Sequence, residues 1–113
     1  MSHHDAEAEL IRLRQAIDRV DEVLVKLLNQ RAKYAVEIGE IKGELSLPIY
    51  APEREKEVLR HVEETSTGPL HDAAIRRLFE RIIDESRRVE RESAHIPVAP
   101  ANRQPPTANR GTQ

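Results

Sequence analysis

From Asp5 to about Gly43 the chain contains no proline, and its apolar residues recur at helical spacing. Leu10, Leu13, Ile17, Val20, Leu24, Leu27, Tyr34, Ile38 and Ile41 follow an alternating three-four pattern, and Arg31 is the single break in its register. The spacing predicts one helix of roughly 39 residues, about 58 Å long at 1.5 Å per residue. Gly43 near its end and Pro48 beyond it supply the expected stop. A second helix is expected from Pro52, because proline suits the first turn and Glu53 and Glu55 suit the dipole there. The Ser66-Thr67-Gly68-Pro69 cluster ends it. A third helix is expected from about Leu70 to Ser93, with Ile75, Leu78, Phe79, Ile82, Ile83 and Val89 as its apolar stripe. No segment alternates with period two, so the fold class is all-α: a three-helix chain with one very long first helix.

That length has a consequence. A helix near 58 Å cannot be covered by partners of about 20 Å and 36 Å from its own chain. Aromatic residues are only 3% of the chain, so a self-sufficient core is not expected. A second copy is the natural cover, which predicts a homodimer with the long helices crossing between subunits.

The remaining composition narrows the classes. There are no cysteines, which excludes a disulfide scaffold and a cysteine-ligated metal site. No apolar run approaches the roughly 18 residues that a membrane span needs. The first ten residues carry two histidines and three acids, so no secretory signal is expected. A net charge of −2 argues against binding nucleic acid through a bulk basic field. The expectation is a cytoplasmic protein with a helical domain over residues 5–94. Residues 95–113 hold Pro97, Pro100, Pro105 and Pro106 and are expected to be a disordered tail.

The functional signal lies in polar residues that interrupt apolar stripes. Arg31 takes a seam position between Leu27 and Tyr34. Lys42 lies eleven residues further on and returns to within about 20° of the same face. With Cα atoms about 16 Å apart along the axis, the two long side chains can grip a small anion between them. Ser86 and Glu90 follow Ile82 at four-residue spacing and extend the stripe of the third helix inward, while Arg54 and Glu55 stand in the first turn of the second. Each also fits a plainer role. Arg31 can snorkel to solvent, and Lys42 can serve the helix dipole. Ser86 can be a small packing residue, Arg54 and Glu55 plain first-turn charges, and Glu90 a solvated member of the run Arg87-Arg88-Val89-Glu90-Arg91-Glu92. Their coincidence on inward faces favours function. The five histidines show no ligand spacing, so no metal is expected.

At these residues the chain resembles the all-helical chorismate mutases. The resemblance lies in Leu13-Arg14-Gln15-Ala16-Ile17-Asp18, Leu27-Leu28-Asn29-Gln30-Arg31 and Ile38-Gly39-Glu40-Ile41-Lys42. It continues through Pro52-Glu53-Arg54-Glu55 and Leu78-Phe79-Glu80-Arg81-Ile82-Ile83-Asp84-Glu85-Ser86, covering about residues 8 to 93. It implies an intertwined homodimer with two shared active sites, converting chorismate to prephenate without metal or cofactor, for phenylalanine and tyrosine biosynthesis. It also implies roles: Arg14 of one subunit and Arg31 of the other on the two carboxylates, and Lys42 between a carboxylate and the ether oxygen. Glu55 would accept the ring hydroxyl, Arg54 and Ser86 would support the site, and Glu90 would face the ether oxygen. Geometry agrees on sharing, since Arg14 and Arg31 stand roughly 25 Å apart along one helix, too far to hold one small substrate. Two positions depart from the pattern: Ala51 stands where many members carry aspartate, and Glu90 where many carry glutamine. The Ile49-Tyr50-Ala51-Pro52-Glu53-Arg54 stretch also resembles the isochorismate-pyruvate lyases of the same fold. A helical dimer acting only as an interaction module is the alternative from another class.

Overall fold

The computed structural model describes residues 2–94. The expected tail over 95–113 lies outside the described residues. Three helices appear in order: α1 (His3–Leu45), α2 (Pro52–Thr65) and α3 (Asp72–Ala94), with no strand among the described residues. None of these helices is long and apolar enough to cross a membrane. The chain divides into one unit over Met1–Arg31 and a second over Ala32–Gln113, and α1 contributes to both.

In the first unit, no described residue is buried. Leu10, Leu13, Ile17, Val20, Leu24 and Leu27 are each 46–57% exposed. The second unit packs α2 on α3, with Leu59 and Ile83 buried between them, and Arg76 reaches Glu63 at 2.9 Å across the pair. Within this unit α1 does not bury its predicted stripe: Tyr34, Ile38 and Ile41 stay exposed, whereas Ala35 and Gly39 on the neighbouring face are buried. Small residues there let the backbones close. A Cβ on Gly39 would stand 2.7 Å from the Cα of Glu90, and one on Gly43 would stand 3.1 Å from the Cα of Ala94.

Gly43 therefore serves packing rather than the helix stop expected of it. The helix runs two residues further and closes at Ser46, which takes the left-handed conformation at φ 56°. The amide of Leu47 donates to the Lys42 carbonyl at 2.8 Å and that of Ser46 to the Gly43 carbonyl at 3.3 Å. These two bonds satisfy carbonyls that a helix end otherwise leaves open. The second helix starts at Pro52 as expected, but Ala51 offers no side-chain cap. The third starts at Asp72 rather than Leu70, where an acid meets the positive end of the dipole.

Candidate active site

The turn at Ser46 and the close approach of Gly39 to α3 together place two charged side chains from distant parts of the sequence in contact. Lys42 donates through Nζ to Glu90 Oε1 at 2.8 Å and to the Ile49 carbonyl at 2.9 Å. Both side chains are largely withdrawn from water, at 16% and 15% exposure. An ammonium has three N–H donors, and these bonds use two of them. The same lysine thus joins the end of α1 to α3 and to the loop before α2.

A second charged pair lies on α2 and α3. Arg87 donates through Nε to Glu55 Oε2 at 3.1 Å, and through Nη2 to both carboxylate oxygens at 2.9 Å. Its Nη1 lies 3.5 Å from Asp84, and its guanidinium lies 5.3 Å from the centre of the Tyr50 ring. The bond to Glu55 is the main reason that Arg87 holds its proton more firmly than usual; burial opposes it, and the charge of Glu55 adds to it. The fork fixes the carboxylate plane, as a single point charge does not.

The residues expected to carry the site fall into three groups. Lys42 and Glu90 meet directly, and Glu55 is held by Arg87, all in the second unit. Ser86 is half-buried on α3, one helical turn before Glu90. Arg54, in contrast, is exposed and pairs with Glu57 at 3.3 Å. In the first unit, Arg14 is exposed and Arg31 half-buried on α1, seventeen residues apart in the chain. Sequence reasoning passed over Arg87, which it had grouped with the solvated charge run. The available signal was its place four residues after Ile83, on the flank of the buried face. Among the described residues no three histidine, aspartate or glutamate side chains gather as a metal site would need.

Comparison with known proteins places this geometry in context. The family described as chorismate mutase type II matches residues 13–91. The chain is 45% identical over 82 residues to a bifunctional chorismate mutase/prephenate dehydratase of Neisseria gonorrhoeae, covering 73% of this chain and 22% of that protein. It thus spans less than a quarter of the curated relative's length. Among solved structures, the form II chorismate mutase of Thermus thermophilus matches with a TM-score of 0.71 and 38% identity, over 73% of this chain and 93% of that one. A Helicobacter pylori chorismate mutase in complex with prephenate matches with a TM-score of 0.70 and 29% identity, over 76% and 93% of the two chains.

Proposed function

We propose, from the premise that the chain belongs to the chorismate mutase type II family, that it converts chorismate to prephenate in aromatic amino acid biosynthesis. The observation that carries the reading is the Lys42–Glu90 pair, set on largely buried faces in the unit that also holds Glu55. In this rearrangement the ether C–O bond breaks as a new C–C bond forms, and negative charge grows on the ether oxygen. No nucleophile or cofactor is required. A protein accelerates it by holding the compact conformer and by aiming donors at that oxygen. Lys42 has a third N–H for this purpose. Glu90 is the second donor in its protonated form, Glu55 accepts the ring hydroxyl, and Ser86 and Arg54 support the site.

The substrate carries two carboxylates, which take Arg31 of one subunit and Arg14 of a second copy. Two features favour that second copy. The apolar stripe of α1 stays exposed from Leu10 to Ile41, and its first unit buries nothing. A lone helix of that kind is marginal in water. The homodimer is intertwined along this stripe, residues 5–94 form the catalytic domain, residues 95–113 are a dispensable tail, and the protein works in the cytoplasm. The mutase names of the relatives favour this reading over the lyase. The test follows chorismate loss and prephenate appearance with purified protein. Turnover that survives a chelator is expected; a folded sample that leaves chorismate unchanged contradicts the proposal, and pyruvate released from isochorismate alone assigns the lyase.

A further inference from the structure

We propose that Arg87 is the positioning residue that aims the Glu55 carboxylate at the ring hydroxyl of the substrate, and so sets the selectivity for hydroxylated ring dicarboxylates. The inference rests on the reading above for the role of Glu55. Glu55 lies in the first turn of α2, a turn with no side-chain cap. A glutamate on such a turn has several free torsions, and ordering it costs on the order of 1–2 kcal/mol. Arg87 removes that freedom before any ligand arrives. Its Nε and Nη2 reach both oxygens from one side, at 2.9–3.1 Å. A carboxylate offers about four lone-pair positions, so acceptor capacity remains on the side away from the fork.

The guanidinium is itself held. Tyr50 covers it at 5.3 Å, and Asp84 flanks it at 3.5 Å. Tyr50 follows Ile49, whose carbonyl accepts from Lys42. The loop before α2 is therefore tied at adjacent residues to the lysine expected at the ether oxygen and to the arginine that orients the hydroxyl acceptor. A lysine at position 87 would keep the charge but not the plane of the contact.

The experiment compares inhibition by two ring dicarboxylates that differ only in the ring hydroxyl, in wild type, Arg87→Ala and Arg87→Lys, with KM and kcat for chorismate measured alongside. In both variants the hydroxylated compound should bind about tenfold more weakly, as loss of a charge-assisted hydrogen bond implies, while the compound without the hydroxyl changes by less than about twofold. KM for chorismate should rise more than kcat falls. Equal weakening of both compounds would mean that Arg87 only supports the fold, and no weakening of either would mean that Glu55 needs no orienting; each result overturns the inference. Should Arg87→Ala not fold, Arg87→Lys gives the same comparison. Wild-type protein that leaves chorismate unchanged instead overturns the mutase reading beneath it.

Discussion

The two units share α1 but answer the demand for burial in opposite ways. In the first, a helical segment with a regular apolar stripe buries no residue among those described. In the second, α1 turns its small residues Ala35, Gly39 and Gly43 toward the chain's own α3 and leaves Tyr34, Ile38 and Ile41 exposed. The contrast separates two kinds of sequence signal. A stripe of large apolar residues states that a face needs cover without saying which chain provides it. Small residues at four-residue spacing mark where this chain meets itself.

The sharpest break in that contrast is Leu24→Asp, at a side chain 50% exposed. In an isolated chain, a substitution at such a surface changes stability by less than about 0.5 kcal/mol. Covered by a second copy, the same aspartate would sit unpaired in an apolar seam, so sedimentation should show monomers, and turnover should vanish. Next in size is the pH response of the Lys42–Glu90 pair. A carboxylate only accepts hydrogen bonds, whereas its protonated form donates. Turnover should therefore fall as rising pH ionises Glu90, and Glu90→Gln, whose amide donates at every pH, should flatten the profile. Matching profiles for the two proteins would refute the donor role.

Gly39→Ala probes the self-packed region. Alanine gains about 1 kcal/mol of helix propensity over glycine in an open helix. Here its Cβ meets the Glu90 backbone, which cannot rotate away. Overpacking of that kind costs about 1–3 kcal/mol, so a lower melting temperature and lower turnover are expected. The smallest effect is Ala51→Asp, which should stabilise α2 by about 1 kcal/mol in denaturant unfolding, because the present residue supplies no cap.

What could be read from the sequence follows the range of each interaction. The three helices were legible because helical periodicity and proline are local signals, and α2 begins at the expected Pro52. The pairing of Lys42 with Glu90 was half legible: each residue stood out against an apolar stripe, but their contact depends on the Gly39 approach, which one sequence does not announce. Arg87 was lost among neighbouring charges because its partner lies on another helix, thirty-two residues away. The end of α1 was misread at Gly43 because a glycine can serve either a turn or a close contact. Ser46, with φ 56°, carries the turn instead.

The central claim is that the exposed region is completed by a second copy, with Arg14 of one chain and Arg31 of the other serving one site. The direct test is to prepare Arg14→Ala and Arg31→Ala separately, allow the inactive chains to exchange subunits, and measure chorismate turnover. A mixed dimer keeps one site with both arginines intact and loses both in the other. The account predicts that activity returns on mixing. Exchange demonstrated by mass spectrometry with no return of activity would contradict it.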